Sequence, residues 1–424
     1  MTRSEQPTPP SFGAFLILPL KYDPDRLDRA RLKALGLPAA VTTTDLNKNI
    51  KSMLDLVSPA SVGWNRILPL DVLCAPLGGA PTGALRVRTG EREFDFFLER
   101  SRLYVFNTRV AFLCLGLSFF NMETLAAVCD SGWAGSSASF FRLDEGGKSI
   151  PFSPENWLDS LLVPLGLEKF FDGPSSYLLD ACVYTFTLPP RWFDTLDEMR
   201  AVTFNMHRMA EPDAPMEDAA EEDVRYVFAA RNRDRNAYRW GCCVASQTIS
   251  YVVADEKLDL AAQHAVQAED GLPVVLLALY ERYTCLRFTQ LMTGLKKSRM
   301  KELRELKKLL LNFRAFGTVA PANLSRWHNV KQIFADLLAV NGVEAALADV
   351  SVKLDVLAAR QQELERARSG AVVSLIALFA IVSILASVLS IVQILAGGSA
   401  LVWTFAILTG GLLALGAALA LRRR

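Results

Sequence analysis

The sequence has little net charge, few histidines and no ordered set of cysteines. Its 424 residues carry 46 lysines and arginines against 45 aspartates and glutamates, so a formal charge of +1 gives no bulk electrostatic reason to bind nucleic acid. The seven cysteines are irregularly spaced, without a C-x-x-C pair or a companion histidine cluster, which argues against a disulfide framework and a zinc site. We therefore expect a protein of a reducing compartment that does not bind DNA or RNA directly.

The sequence also lacks the common signatures of enzymes. Gly147-Lys148-Ser149 resembles the end of a phosphate-binding loop, but Arg142 stands where the leading glycine is needed and Pro151 disfavours the helix that should follow. No G-x-S-x-G occurs, and the three histidines are far apart in the chain. The sequence therefore predicts no enzyme and no catalytic residue.

Charge is absent from residues 369–421, which are followed by Arg422, Arg423 and Arg424. A hydrocarbon layer of about 30 Å needs roughly 20 helical residues, and residues 371–395 and 401–421 are each long enough. The glycines between them predict a turn, and hence a two-helix transmembrane hairpin in contact with membrane lipid. Arginines flank the hairpin and are absent from its loop, so both termini are expected on the cytosolic side.

A polar stripe runs along the first predicted span. Ser383, Ser387 and Ser390 recur at i, i+4 and i+7, which places them on one face of a helix. Small hydroxylated residues suit either the wall of a water-filled pore or a close contact between helices. The sequence leaves both interpretations open.

A long helical rod is predicted to lead into the membrane. It begins near Asn323 as N-cap and ends at Leu395, with its main weak point at Asn341-Gly342, and a second long helix from Pro273 to about Phe316 precedes it. Apolar positions spaced by three and four predict a coiled-coil or bundle seam. The seam consists of Val343, Leu347, Val350, Leu354, Leu357, Gln361 and Leu364.

The N-terminal part predicts an α+β cytosolic domain built on an antiparallel sheet. Its predicted strands are residues 12–21, 85–89, 94–98, 103–107, 110–115, 182–188 and 243–253, and its predicted helices are 46–56, 156–165 and 193–209. The domain boundaries that follow are 1–271 for the cytosolic domain, 272–370 for the helical stalk and 371–424 for the two membrane spans with a basic end.

An arginine-rich stretch follows an acidic one. Residues 211–223 predict an exposed acidic linker. Guanidinium groups beside aromatic rings suit phosphate contacts with ring stacking, so an anionic nucleotide-like ligand is one interpretation. A solvated strand end that pairs with local acids is the other, and both stay open. The candidate ligand-binding residues are Arg231, Arg233, Arg235, Arg239 and Trp240.

The order of these parts resembles the CorA family of divalent-cation channels and transporters. The resemblance covers roughly residues 272–424: two long helices, of which the second enters the membrane, then a short uncharged loop, a second span and a basic end. It implies a homopentamer in a bacterial inner membrane, with five first spans around the pore and Mg²⁺ or another cation as the permeant ion. On this basis the pore-lining residues are Ser383, Ser387, Ser390 and Gln393, and Gly397 with Gly398 forms the pore mouth.

One departure from the family changes what the resemblance implies. The Gly-Met-Asn signature is absent, because residues 393–398 read Gln-Ile-Leu-Ala-Gly-Gly. The asparagine of that signature helps to hold a hydrated cation, so selectivity for divalent cations does not carry over. Some CorA-like proteins without the signature are associated with type III CRISPR antiviral defence, in which a nucleotide second messenger acts on the membrane protein.

Three functions therefore remain as hypotheses. The first is an ion channel or transporter gated by its cytosolic domain, and the second is a CRISPR-associated membrane effector opened by a nucleotide bound at the arginine-rich stretch. The third is a membrane-anchored signalling or scaffold protein that conducts nothing.

Overall fold

The computed structural model describes residues 10–38, 41, 43, 45–54, 62–78, 83–133, 135–144, 146–173, 176–189, 191–215, 224–254, 259–295, 300–396 and 410–411. The chain divides into two compact units. Met1–Gly294 and Glu305–Val350 make the first, and Leu295–Arg304 and Ser351–Arg424 make the second.

The first unit is built on a large mixed sheet. Its strands are β1 (Phe12–Tyr22), β2 (Leu37–Pro38), β3 (Gly63–Leu68), β4 (Ala84–Thr89), β5 (Arg92–Phe106), β6 (Val110–Phe119), β7 (Ser139–Leu143), β8 (Ser149–Phe152), β9 (Leu167–Lys169), β10 (Cys182–Thr187), β11 (Arg225–Phe228), β12 (Trp240–Val244) and β13 (Thr248–Val253). The main path runs β11-β12-β13-β10-β1-β6-β5-β4-β7-β8, with β3 beside β5, β2 beside β3, and β9 beside β1.

Every predicted strand lies in this sheet, with three corrections. Residues 94–98 and 103–107 belong to one strand, β5, whose register shifts between Glu99 and Arg102. Residues 243–253 are not one strand, because the chain turns after Val244 and returns as β13. The sheet is not wholly antiparallel, because β10 and β13 pair in parallel.

The central strand β1 is buried along its whole length. Such a strand needs apolar residues on both faces, which explains its near-continuous apolar run. Pro19, which has no N–H to donate, lies after the segment paired with β10, which ends at Ile17, and before the segment paired with β9, which begins at Leu20. The proline therefore lies at the part of β1 that pairs with neither β10 nor β9, where no N–H donor is needed on that edge.

Helices surround the sheet and continue the chain towards its end. They are α1 (Arg29–Ala34), α2 (Lys48–Met53), α3 (Leu70–Cys74), α4 (Met122–Asp130), α5 (Pro154–Leu162), α6 (Leu196–His207), α7 (Leu260–Glu269), α8 (Gly271–Gly294), α9 (Met300–Asn312), α10 (Pro321–Leu324), α11 (His328–Val340) and α12 (Val343–Ala396). The structure thus has the predicted helices near residues 46–56, 156–165 and 193–209, as α2, α5 and α6.

The two faces of the sheet are covered by different helices. On one face, Leu16 and Leu18 of β1 share a core with Leu125 of α4 and Leu158 of α5. On the other face, the ring of Phe106 stacks on Tyr280 of α8 at 4.1 Å, and that of Phe112 meets Tyr283 edge-on at 5.6 Å. His264 of α7 packs against Phe15 at 4.5 Å between ring centres. The sheet is therefore the middle layer of three.

The helical rod is shorter at its start than predicted. Asn323 does not cap a long helix, because it lies inside the single turn α10 and the chain is extended at Ser325 before α11 begins. Gly342 then separates α11 from α12, because its φ of 58° is not helical and is a conformation that glycine adopts without steric cost. The long helix is therefore α12, whose 54 residues reach about 80 Å.

The preceding long helix is also divided. It ends as α8 at Gly294 and resumes as α9, which gives way to a π-helical turn over Phe313–Gly317. Gly317 is the predicted stop, and it closes that turn.

The predicted seam is confirmed at its N-terminal end. Val343, Val350 and Leu354 are buried, and Leu347 and Leu357 are half-buried. The side chains of Gln361 and Leu364 lie outside the described residues.

All seven cysteines are free thiols, and six are buried. Burial raises the pKa of the Cys243 and Cys285 thiols to about 12. Because a thiolate is the reactive form, these cysteines act as small apolar core residues.

A buried carboxyl group should make the stability of the first unit depend on pH. Glu281 of α8 is 4% exposed, and burial raises its pKa to about 7, although its Oε1 accepts a 2.8 Å hydrogen bond from the Val319 N–H. The folded state binds this proton more tightly than the unfolded chain, so the contribution of Glu281 to stability is fully present below its unfolded pKa and is lost as pH rises to the folded pKa. The loss should total about 3 kcal/mol.

Glu281→Gln keeps an acceptor for Val319 and cannot ionise. We expect its thermal midpoint in detergent to exceed that of wild type increasingly between pH 5 and 8. Parallel midpoint curves for the two proteins would contradict this.

Candidate functional site

The first candidate site is the apolar part of α12. In the part of the chain that the structure describes, α12 is the one helix long and apolar enough to cross a membrane, over Ser369–Ile391 with a mean hydropathy of 2.8. Its 23 residues reach about 35 Å, against a hydrocarbon thickness of about 30 Å. No residue of its most apolar window is buried. By length and composition this C-terminal helix could be a membrane span.

Within this segment the serines share one exposed face. Ser383, Ser387 and Ser390 are all exposed, and the Ser387 hydroxyl donates a 2.9 Å hydrogen bond to the Ser383 carbonyl oxygen. That bond satisfies the hydroxyl proton inside the helix and leaves the oxygen able to accept from water or from a neighbouring helix. The stripe therefore offers acceptor oxygens on a narrow, small-residue surface.

A second face of the same segment differs from the serine face. Leu378, Val382, Ala386 and Leu389 are half-buried, whereas most of the surrounding residues are exposed. At ~100° per residue this line lies about 110° around the helix from the serines. The two faces can therefore serve different contacts.

The remaining predicted pore residues are only partly described. The backbone of Gln393 belongs to α12, and its side chain lies outside the described residues. Gly397, Gly398 and the second predicted span, apart from the helical residues Gly410 and Gly411, also lie outside them.

The second candidate site is the loop of residues 229–239 between β11 and β12, here called the arginine loop. An isolated bridge pairs Asn232 with Ala237, and the backbone N–H groups of Asp234 and Arg235 donate to the Asn232 side-chain oxygen at 2.9 Å. Asn236 has a φ of 51°, which asparagine tolerates better than most residues. These local bonds give the loop a defined turn at its tip.

The arginines of this loop make contacts of several kinds. The guanidinium of Arg235 lies 4.6 Å from the Trp192 ring centre, and that of Arg231 lies 6.0 Å from the ring of Tyr238. Arg231 also donates to the Asn236 carbonyl oxygen at 3.2 Å. All four candidate arginines, Arg231, Arg233, Arg235 and Arg239, are exposed.

Trp240 lies apart from this group. Its ring stacks on Tyr251 at 5.8 Å, while Arg239 donates to the Ala254 carbonyl oxygen at 3.4 Å. The aromatic partner of Arg235 is instead Trp192, which sequence reasoning missed. The bridge between Phe193 and Tyr238 brings it there, and no local pattern in the sequence signals that pairing.

The acidic linker, from residue 216 to its end at 223, lies outside the described residues.

Comparison of the chain with protein-family models, with curated proteins and with solved structures gives no match.

Proposed function

We propose that this protein is a CorA-like, homo-oligomeric membrane ion channel whose cytosolic α+β domain controls conduction through α12. The continuity of α12 carries the proposal. One unbroken helix contains both the buried seam at Val343–Leu354 and the exposed apolar segment Ser369–Ile391. Such a helix can convey a shift or rotation along its length, as in other switching proteins that move helices as rigid bodies.

A second apolar stripe on α12 supports self-association. Ala345, Ala348, Val352, Val356 and Ala359 recur at spacings of three and four on the side of the helix opposite the buried seam. All five are exposed, and Val352 and Val356 are 63% and 62% exposed. Copies of the same helix around a shared axis would cover this stripe, and the family resemblance favours five copies.

In this proposal the serine face lines the pore. Residues 401–421 complete a hairpin, both termini face the cytosol of a bacterial cell, and Gln393 with Gly397 and Gly398 forms the outer mouth. Hydroxyl oxygens along the wall would replace part of the water around a passing cation.

The test is ion flux in liposomes, comparing magnesium with sodium and potassium. Ser387→Leu should reduce flux at least tenfold without preventing assembly, because it replaces a hydroxyl in the pore by a bulky apolar group. Ser374 is the matched control, since it lies on the opposite side of the helix and makes the same kind of bond, to the Gly370 carbonyl oxygen at 2.8 Å. Ser374→Leu should conduct like wild type.

Equal flux from the wild-type and Ser387→Leu proteins would mean that the stripe only packs helices. No flux under any ligand condition would favour the non-conducting signalling or scaffold protein.

The stacked arginines of the arginine loop favour one form of gating, in which an anionic nucleotide second messenger opens the channel. Guanidinium groups held beside Trp192 and Tyr238 can bind phosphate while a base stacks nearby. Arg233→Ala with Arg235→Ala should then weaken binding of an anionic nucleotide to the purified full-length protein at least tenfold.

Arg100→Ala, which removes an exposed arginine from β5, is the control and should bind like wild type. Unchanged affinity in the double variant would exclude the arginine loop as the nucleotide site.

A further inference from the structure

A cavity of about 110 Å³ lies inside the first unit, between the sheet and three helices. Tyr184 of β10 and Tyr251 of β13 form part of one wall, the α7–α8 junction supplies Gln267 and Asp270, and Asn329 comes from α11. Asp45, just before α2, completes the polar lining. A single water needs only about 10–15 Å³ of such space, so the cavity can hold a molecule of several heavy atoms.

Two carboxylates face this cavity without a cationic partner. No described residue forms an ion pair with Asp45 or Asp270 at a nitrogen–oxygen distance of 4 Å or less. Neither carboxylate accepts a hydrogen bond from a described residue. Burial raises the pKa of Asp45, the charge of Asp270 raises it further, and Arg326 opposes both. The Arg326 guanidinium itself lies over the Trp327 ring, 4.6 Å from its centre. The two carboxylates therefore carry negative charge that no described ion pair neutralises and that Arg326 opposes only from a distance.

Gln267 provides an independent indication of a ligand. It is 4% exposed and lines the cavity, and its Oε1 accepts a hydrogen bond from the Tyr184 hydroxyl. Its amide nitrogen donates to no residue that the structure describes. This nitrogen has two N–H groups, so an acceptor placed in the cavity that Gln267 lines can pair with it.

We propose that this cavity binds a small organic cation that also carries a hydrogen-bond acceptor, such as a short amino alcohol. Its ammonium group pairs with the carboxylates of Asp45 and Asp270, and its hydroxyl oxygen accepts from the amide nitrogen of Gln267. Val274 and Val330 supply apolar walls for the carbon chain.

A divalent metal fits less well. Among the described residues there is no group of three or more histidine, cysteine or acidic side chains that could hold a metal ion. Two carboxylates alone supply too few of the six to eight oxygens that Ca²⁺ takes, whereas Mg²⁺ can be held by one or two carboxylates and its own waters, so magnesium is included in the test as the competing ligand.

The test measures binding to the purified full-length protein in detergent by calorimetry, at constant ionic strength. The probes are ethanolamine, n-propylamine, which has the same number of heavy atoms without the hydroxyl, and magnesium chloride. Ethanolamine should bind and raise the thermal midpoint, and n-propylamine should bind at least fivefold more weakly. Because the readout is binding, it does not depend on ion conduction.

Two variants probe the two ends of the ligand. Asp270→Asn should weaken ethanolamine binding at least tenfold, and Gln267→Leu should remove the preference for ethanolamine over n-propylamine. Asp71→Asn, which changes an exposed aspartate at the start of α3, should bind like wild type.

Folding of the charge variants can be checked without ligand. Asp45→Asn removes one of two repelling carboxylates, so its thermal midpoint without ligand should equal or exceed that of wild type while ethanolamine binding falls. Equal ethanolamine affinity in the wild-type and Asp270→Asn proteins would overturn the proposal. So would binding of magnesium chloride alone, or no binding of ethanolamine.

Discussion

Aspartate at Leu378 and Val382 together is expected to release the protein from the membrane. Both residues lie within Ser369–Ile391, the apolar segment of α12. An aspartate at the centre of a membrane helix adds about 2.5–3.5 kcal/mol to the free energy of insertion. Removing the apolar residue that it replaces adds a few tenths of a kcal/mol more. The two substitutions together should therefore cost more than 5 kcal/mol. Alkaline extraction of membranes, followed by sedimentation, would measure the released fraction.

The matched control places the same two aspartates at Val352 and Val356. These residues are exposed on the same helix and precede the apolar segment, so this variant should stay in the membrane pellet. Both variants are compared in a chain that ends at residue 400, because the second predicted span, residues 401–421, could otherwise hold the protein in the membrane. Retention of the Leu378→Asp, Val382→Asp variant of this shortened chain in the pellet would mean that α12 does not hold the protein in the membrane.

The same control variant is expected to change the oligomeric state. If copies of α12 meet along Val352 and Val356, aspartates there place like charges from several subunits close together around one axis. Each valine would also lose its burial, worth about 1.5–3 kcal/mol per side chain. We expect the dominant species in detergent to shift from an oligomer to a single subunit, as measured by light scattering or native mass spectrometry.

A second pair of substitutions on α12 tests whether position matters more than charge. Arg360 and Gln362 are exposed and lie to either side of the apolar stripe, so Arg360→Asp with Gln362→Asp should leave the subunit number unchanged. If the wild-type protein is a single subunit in detergent, the proposal of an ion channel fails, because one copy of α12 encloses no pore.

Several elements could be predicted because their signals are local. The alternating and continuous apolar runs of β1 and β6 predict strands, since a strand buried on both faces has few other compositions available to it. The uncharged stretch after Arg368 predicts an apolar helix without reference to any other part of the chain. Gly342 was recognisable as a break because glycine after asparagine favours a left-handed conformation.

Other features depend on residues that are distant in sequence. The parallel pairing of β10 with β13 and the position of Trp192 beside Arg235 follow from how the sheet closes. The division of the rod at Ser325 was missed because the apolar spacing continues across it, while the extended backbone there breaks the helix.

The sequence by itself determined the apolar α12 segment, the serine stripe and the seam, because each is a repeat along one helix and needs no partner to be recognised. Only the tertiary structure decided that Asp45, Gln267 and Asp270 share a cavity, since they meet where α7 gives way to α8 and the segment before α2 folds against that junction. Periodicity reports which side of an element is apolar, whereas side chains from separate elements meet only after the chain has packed.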